Sequence, residues 1–422
     1  MLREWYARWM YAWETRLTTR DENRVVRPLE WGFEWIAPFL ESHGFGAYVP
    51  GREVEGDAAA AEAAMSRINQ LLIRHSSEFF GYARPTDFRL EERFPELFPT
   101  NVRPETLAQD AELKRQAAEG RLERAQFLRF TSPERTPYPE NDLVNARWYP
   151  APAPQNSARP KQAIIVMPQW NADGFSHNSL CTIFNRMGIS ALRLSKPYHD
   201  IRRPLELERS DYAVSANIGR TISACRQAVV DIRCCLDWLE AQGYEHFGVL
   251  GTSLGSCYAY LASAHDPRLR VNAFNHASTA FGDVVWSGQS TRHIRQGLAE
   301  AGLTQESVRA LWAAVSPVSY YHLFPSFEAT APKNALVVYA NYDLTFPLEY
   351  SLKVVEAFRQ SGVRHEIRVL PCGHYTTGET PYKFIDGWYM GSFVYRAFKT
   401  LREEKAAGLA RTSAVEEETL SR

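Results

Sequence analysis

The sequence predicts an α/β chain whose core is a mostly parallel, doubly wound sheet. Short apolar runs at 163–167, 271–275 and 335–340 have the length of buried strands, and segments of helical pattern separate them. The stretch around Ser253 has the pattern of a strand, a tight turn and a helix. Downstream, two apolar runs each stop at polar residues, as expected where a site lies at the carboxyl ends of parallel strands.

Residues 1–118 carry no catalytic motif and are predicted to form a helical extension that packs on the core. Trp5, Trp9 and Trp13 recur every four residues and therefore share one face of a helix. Such a face is typical of a surface buried against the main domain. A homodimer contact through the N-terminal helices, or contact with a membrane surface, is the alternative.

The main domain is predicted over residues 119–400. It begins with two strands at 124–130 and 143–149, before the motif-bearing strands follow. Its last helix is expected at 394–404. The charged residues 401–422 are expected to form a poorly ordered tail.

The segment 251–255, which reads Gly-Thr-Ser-Leu-Gly, is the most informative part of the chain. An apolar strand before it and an alanine- and tyrosine-rich stretch at 256–264 supply the strand–turn–helix context in which this pattern has catalytic meaning. So tight a turn strains the serine backbone and lifts its hydroxyl above the sheet, while the glycines let neighbouring backbone pass close by. Ser253 is therefore the predicted nucleophile.

A serine hydroxyl is a weak nucleophile, so a base and a group that orients the base are expected. Asp343 follows the strand at 335–340, and His374 follows the strand at 367–371, with one helix between them. The order Ser, Asp, His at the ends of parallel strands predicts a triad of Ser253, Asp343 and His374. Either of the last two alone would be more typical of a turn or a helix cap.

These motifs resemble those of the α/β-hydrolase superfamily, and within it those of the abhydrolase-domain-containing-18-like group of bacterial hydrolases. The resemblance covers about residues 120–400 and is carried by the segments 167–171, 192–199 and 251–255 together with Asp343 and His374. It implies the α/β-hydrolase fold, with a helical insertion at about 281–330 that forms a lid over the serine.

Stabilisation of an oxyanion requires two backbone N–H donors. One is expected from Leu254, and the other from the loop after the strand at 163–167, where Gln169 and Trp170 are alternatives. In many α/β-hydrolases this loop begins with His-Gly, which this chain lacks. The Trp170 side chain either borders an acyl pocket or packs beneath the lid.

The predicted lid is aromatic, which predicts an apolar pocket for the acyl or alcohol part of a substrate. Its aromatic residues are Trp286, Trp312, Tyr320, Tyr321, His322 and Phe324. His199 and His276 end predicted strands near the same edge of the sheet. They are interpreted as hydrogen-bonded structural residues, with substrate contact as the alternative.

Composition narrows the function further. The chain has 422 residues, 45% of them apolar, and a net charge of −1, which gives no bulk attraction to nucleic acid. No apolar run reaches the ~20 residues of a membrane span. The six cysteines lack metal-ligand or disulfide spacing, which favours reduced thiols and a cytoplasmic location. No cofactor is expected, because no glycine-rich phosphate loop is present, and no metal, because Asp173 and His177 lack a third ligand.

The sequence thus predicts a cofactor-free serine hydrolase that forms an acyl-enzyme with a small-molecule acyl substrate, most simply a carboxylic ester. Amide or peptide hydrolysis and acyl transfer on the same triad are alternatives within the enzyme class. A non-catalytic module that binds a partner through the extension and the lid is the alternative outside it. Such a module would not require these three residue types at three strand ends.

Overall fold

The computed structural model describes residues 2–152 and 160–420; of Arg52 and of residues 408–420 it describes only the backbone. The strands are β1 (Arg89–Arg93), β2 (Ala125–Thr131), β3 (Leu143–Tyr149), β4 (Lys161–Met167), β5 (Ser190–Leu194), β6 (Tyr244–Thr252), β7 (Leu269–Asn275), β8 (Asn334–Ala340) and β9 (Arg364–Leu370). They form one nine-stranded sheet in the order β1-β2-β3-β5-β4-β6-β7-β8-β9.

The sheet is parallel from β5 to β9, while β3 is antiparallel to both of its neighbours and β1 is antiparallel to β2. Its carboxyl edge therefore gathers the residues that follow β4, β6, β7, β8 and β9. This is the mostly parallel, doubly wound sheet that the sequence predicted, and the chain has the α/β-hydrolase fold.

Helices cover both faces of the sheet. The α-helices are α1 (Leu2–Thr19), α2 (Ala37–Ser42), α3 (Ala58–Arg74), α4 (Ser76–Phe79), α5 (Pro104–Ala118), α6 (Pro139–Asp142), α7 (Asn178–Arg186), α8 (Ile218–Ala241), α9 (Leu254–His265), α10 (Phe281–Ser287), α11 (Arg292–Glu300), α12 (Gln305–Leu311), α13 (Leu348–Ser361) and α14 (Tyr382–Leu420). Along β4, Ile165 packs into one hydrophobic cluster, and its neighbours Ile164 and Val166 pack into the other. This alternation follows from the two-residue period of a strand.

The N-terminal extension contributes to both clusters. Apolar residues from 31 to 80 pack into the same cluster as α8 and α9, and Met10 of α1 packs into the other. The extension is not wholly helical, because residues 89–93 form the edge strand β1. The strand β1 was not predicted, because four of its five residues are charged and it has no apolar pattern; charged side chains are common on edge strands. The domain boundaries at 118 and 400 stay a prediction.

The tryptophan stripe of α1 does not pack as predicted. The exposed fractions of Trp5 and Trp9 are 60% and 41%, and only Trp13 is half-buried, with its ring 6.3 Å from that of Tyr382. The buried face of α1 is offset by one residue and contains Met10, Glu14, Leu17 and Thr18. It is set by the polar partners of Glu14, described below, and not by the largest apolar side chains.

The last helix, α14, continues past Glu404, where the sequence predicted its end. Leu401 is buried, and Glu404 forms ion pairs with Arg270 and Arg364, so the first turn of the predicted tail packs on the body. The disorder of the rest of that tail stays a prediction; residues 421 and 422 lie outside the described part of the chain. None of the helices between residues 2 and 420 has the length and apolar content of a membrane span.

Candidate active site

Ser253 occupies a sharp turn between β6 and α9. Its φ of 57° and ψ of −121° lie in a sparsely populated region that costs about 1–3 kcal/mol for a residue with a side chain. A hydrogen bond from its N–H to the Asn275 carbonyl oxygen, at 2.8 Å, holds the turn against β7. A Cβ on Gly251 would overlap the backbone of Gly255, and one on Gly255 would overlap the carbonyl of Met167. The two glycines therefore permit the close approach that raises Ser253 above the sheet edge.

The structure brings Ser253, Asp343 and His374 together at this edge. His374 Nε2 lies 2.8 Å from Ser253 Oγ, and His374 Nδ1 lies 2.8 Å from Asp343 Oδ2. Because an ionised carboxylate only accepts hydrogen bonds, the network assigns the imidazole proton to Nδ1 and leaves Nε2 to accept the serine proton. The arrangement can therefore move a proton from the serine hydroxyl to the imidazole.

Asp343 is buried but surrounded by donors. Its Oδ1 accepts the backbone N–H groups of Thr345 at 2.8 Å and Phe346 at 2.6 Å. Its Oδ2 accepts from His374 and also from Nδ1 of His276, at 3.2 Å. Burial alone would raise the pKa of Asp343, but the two histidines outweigh burial and hold that pKa well below its usual range. The carboxylate thus stays ionised in a dry site.

His276 is a second histidine on the same carboxylate. It follows β7 directly, and its ring centroid lies 4.5 Å from that of His374. Burial opposes its charged form, but the hydrogen bond and the charge of Asp343 raise the pKa of His276. His276 is thus hydrogen-bonded, as interpreted from the sequence. The sequence did not predict that its partner is Asp343. The available signal was its position at the carboxyl end of a strand next to β6.

Glu14 of the extension holds the loop that carries His374. Its side chain is fully buried and accepts the N–H groups of Tyr375 at 2.8 Å and Thr376 at 2.9 Å. It also fills the space beside Gly373, where a Cβ would collide with it. Sequence reasoning missed this residue, because nothing in the local pattern of α1 distinguishes Glu14 from a solvated glutamate.

The loop after β4 lies beside the serine. Leu254, Gln169 and Trp170 all line the same cavity as Ser253, and no hydrogen bond among the described residues uses their backbone N–H groups. The buried Lys196 donates to the Gln169 carbonyl oxygen at 3.0 Å, and His199 Nε2 accepts the N–H of Asn171 at 3.2 Å. His199 thus has the structural role that was predicted. Which of Gln169 and Trp170 supplies the second donor stays open.

The side chain of Trp170 both borders the cavity and packs beneath the insertion. Its indole N–H donates to the Ser210 carbonyl oxygen at 3.0 Å. Its ring stacks on His293 of α11, with 6.0 Å between centroids and 3° between planes. The two alternatives considered for Trp170 therefore describe two faces of one side chain.

The cavity above Ser253 has a volume of about 610 Å³, and its walls differ from the prediction. None of the six aromatic residues expected to line it does so. Trp312, Tyr320 and Phe324 are buried in the hydrophobic cluster beside α9, because burial of large rings against the body is worth more than contact with a solvent-filled cavity. The insertion contributes Phe281, Val284 and Val285 instead. The extension contributes a charged wall that includes Arg20, Asp21 and Arg103.

The side chains of Asp173 and His177 are hydrogen-bonded to different partners and do not form a joint set of ligands. Asp173 Oδ1 accepts the N–H groups of Phe175 and Ser176, and His177 Nε2 lies 2.9 Å from Thr252 Oγ1. Among the described residues, the one group whose atoms could meet at a metal ion is His276, Asp343 and His374. These atoms already form the hydrogen bonds given above.

No protein-family model and no curated relative matches the chain. Similar solved structures include acetyl xylan esterase 1 from Thermoanaerobacterium sp. JW/SL YS485, at 13% identity and a TM-score of 0.49, over 80% of this chain and 93% of that one. They also include the acetyl xylan esterase from Paenibacillus sp. R4, at 11% identity and a TM-score of 0.48, over 88% of this chain and 98% of that one. The 2,6-dihydroxy-pseudo-oxynicotine hydrolase is similar at 14% identity and a TM-score of 0.45, over 92% of this chain and 95% of that one. These values are too low to carry residue roles or substrates over to this chain.

Replacing Glu14 by alanine is expected to lower both stability and turnover. Two buried N–H groups lose their acceptor, at about 1–3 kcal/mol each, and a shift of about 1 Å in the His374 loop costs on the order of 100-fold in rate. Urea unfolding and kcat on an activated ester measure the two effects. Glu14→Gln keeps one acceptor oxygen, so its stability and kcat should fall between those of the wild type and Glu14→Ala. Arg8→Ala, on the exposed face of α1, should have the stability and kcat of the wild type. Full kcat in Glu14→Ala would contradict the assigned role.

Replacing His276 by glutamine is expected to change how stability depends on pH. Because the pKa of His276 is raised in the folded state, its pairing with Asp343 stabilises the fold below the unfolded pKa of about 6.5, and this contribution is lost as pH rises through the folded pKa. The free-energy difference between wild type and His276→Gln should therefore be larger at pH 5.5 than at pH 9. A constant difference for His276→Gln would contradict the pairing.

Proposed function

We propose that this chain is a serine hydrolase that cleaves carboxylic esters through an acyl-enzyme. The observation that carries the proposal is the continuous relay from Asp343 through His374 to Ser253, with 2.8 Å at each of its two hydrogen bonds, on the floor of a cavity of about 610 Å³. A nucleophile, a base in hydrogen-bond reach of it and a group that orients the base are the geometric requirements of acyl transfer.

In the acylation step, Ser253 Oγ attacks the ester carbonyl and gives its proton to His374 Nε2. The resulting imidazolium is stabilised by Asp343, whose carboxylate remains ionised. Negative charge develops on the former carbonyl oxygen. The N–H of Leu254 and the N–H of Gln169 or Trp170, on the wall of the same cavity, are the donors available to it.

Collapse of this intermediate breaks the bond to the alcohol oxygen, which takes the proton from His374 Nε2. Water then enters, gives a proton to the same nitrogen and attacks the acyl carbon. The bond from that carbon to Ser253 Oγ breaks as Oγ takes the proton back from Nε2, which releases the acid and regenerates the serine hydroxyl. An alcohol leaves with little assistance, which makes esters the simplest substrates. Amide hydrolysis and acyl transfer to another alcohol would use the same residues.

The backbone strain at Ser253 also favours catalysis over a purely binding function. A positive φ at a residue with a side chain is costly and persists where the surrounding structure enforces it. Binding of a partner through the extension or the lid would not require a serine hydroxyl held 2.8 Å from an imidazole nitrogen.

The remaining expectations are part of the same proposal. The six cysteines are all free thiols, five of them buried, which supports a cytoplasmic location. Membership of the abhydrolase-domain-containing-18-like group rests on the sequence resemblance alone. Self-association through the N-terminal helices is supported by the exposed Trp5 and Trp9 of α1.

A fluorophosphonate probe tests the proposal, because it labels serine residues that are activated as nucleophiles. We expect the wild type to be labelled and to hydrolyse 4-nitrophenyl acetate, and Ser253→Ala and His374→Ala to lose labelling and about 10⁴-fold or more in kcat. Ser278→Ala is the matched control, since Ser278 lines the same cavity and its hydroxyl has no hydrogen-bond partner among the described residues. Turnover that survives in Ser253→Ala would refute the mechanism.

A further inference from the structure

A cluster of arginines lines the cavity of Ser253 and has no role in the mechanism above. Arg20 and Arg103 come from the extension, and Arg209 comes from the segment between β5 and α8. All three surround the carboxylate of Asp21. The shortest nitrogen–oxygen distances to that carboxylate are 4.0 Å for Arg20, 3.9 Å for Arg103 and 3.8 Å for Arg209.

These distances allow ion pairing but exceed hydrogen-bond length. Arg103 and Arg209 each use Nε, to Asn101 at 2.8 Å and to Asp211 at 3.3 Å. No hydrogen bond among the described residues uses the terminal amino groups of the three arginines. The side chain of Arg209 is only 4% exposed, and Arg209 lines the cavity. Planar guanidinium groups with open N–H donors match the two oxygens of a carboxylate.

Besides Asp21, the cluster has two carboxylate partners: Asp211 beside Arg209, and the exposed Glu105, 3.8 Å from Arg103. Arg24 and Arg292, which lie next to the cluster, donate to carbonyl oxygens and not to carboxylates. Burial lowers the pKa of the neighbouring His293 to about 3, and the charges of Arg24, Arg209 and Arg292 act in the same direction. Together with the cluster, Arg24 and Arg292 place five guanidinium groups around the three carboxylates of Asp21, Asp211 and Glu105.

Two further acidic residues of the cavity wall have partners other than these arginines. Asp173 accepts backbone N–H groups of its own loop, and Asp386 accepts from Asn275 at 2.9 Å on the His276 side of the site. Glu379 and Lys383 contribute one charge of each sign. The cavity is therefore basic at one end.

The arginine cluster contacts the loop beside the serine through the ring of Trp170. The Arg209 guanidinium sits 5.6 Å from the centroid of the Trp170 ring, and Trp170 belongs to the loop next to Leu254. A substrate with its carbonyl at Ser253 and a short chain past Trp170 would present its far end to Arg209, Arg103 and Arg20.

We propose that Arg20, Arg103 and Arg209 form a subsite for a carboxylate carried by the substrate, so that the substrate class is an ester with a second, ionised carboxyl group. This inference rests on the proposed function. It adds that the enzyme selects its ester by charge and not by an apolar acyl chain.

Two matched pairs of esters test the subsite, one for each side of the scissile bond. The acyl-side pair is 4-nitrophenyl hydrogen glutarate against 4-nitrophenyl 4-carbamoylbutanoate. The alcohol-side pair is 4-(acetoxymethyl)benzoate against 4-(acetoxymethyl)benzamide. The subsite lies on one side of the scissile bond, so only one of the two pairs places its carboxylate there. In that pair, the wild type should favour the carboxylate over the amide by about 10-fold or more in kcat/KM, because charge-assisted hydrogen bonds are roughly twice as strong as neutral ones.

The variant Arg20→Gln/Arg103→Gln should lose this preference through a higher KM for the carboxylate, while KM for the amide changes much less. Both side chains are partly exposed, so their loss should leave the fold intact. Arg359→Gln, an exposed arginine of α13, is the control and should keep the preference. Equal kcat/KM in both pairs for the wild type, or a preference that survives in the double variant, would overturn the subsite.

Binding separates a failed subsite from a failed hydrolase. Glutarate titrated calorimetrically into Ser253→Ala should bind at least about 10-fold more tightly than into the same variant with Arg20→Gln and Arg103→Gln. Absence of that difference would overturn the subsite whether or not esters turn over. Hydrolysis of the amide-bearing esters without charge preference would leave the hydrolase intact and refute the subsite alone.

Discussion

The charge on the buried carboxylate of Asp343 is the constraint on which the rest of the site depends. An isolated carboxylate at this depth would take up a proton, and it would then no longer hold His374 in the tautomer that faces Ser253. Two backbone N–H groups and two histidines prevent this, and they come from the ends of three neighbouring strands, β7, β8 and β9. The parallel sheet matters because it brings those strand ends to one edge, where the turn after β6 also presents the serine.

The extension that precedes the sheet belongs to this arrangement and does not merely cover it. Glu14 accepts two backbone N–H groups of the loop that carries His374, and Arg20, Asp21 and Arg103 form part of the cavity wall. The insertion after β7 plays the complementary part: its large rings stabilise the body, while Phe281, Val284 and Val285 face the cavity. On the proposed function, the chemistry would take place at the strand ends, and substrate recognition would involve segments that carry no catalytic motif.

The parallel strands that carry the site and the three residues of the relay could be predicted, because each depends on local pattern: an apolar run, a tight turn, a polar residue at a strand end. What could not be predicted depends on contacts between distant segments. Glu14 looks like a surface glutamate until α1 packs against the loop at 373–376, and its buried N–H partners, not the tryptophan stripe, decide which face of α1 is turned inward. His276 was visible as a strand-end residue, but its partner lies 67 residues further along the chain. The aromatic residues of the insertion were wrongly expected to line the cavity, because composition alone does not tell which face of an insertion is turned toward it.

The central claim is that Ser253 becomes covalently acylated, and acid quenching followed by mass spectrometry tests it most directly. The enzyme would be mixed with excess 4-nitrophenyl acetate, stopped with acid within the first turnovers and digested with protease. The account predicts a mass increase of one acetyl group on the peptide that contains Ser253, which disappears as the substrate is consumed. Steady hydrolysis without any acylated peptide, or an acetyl group that accumulates only on another residue, would contradict it.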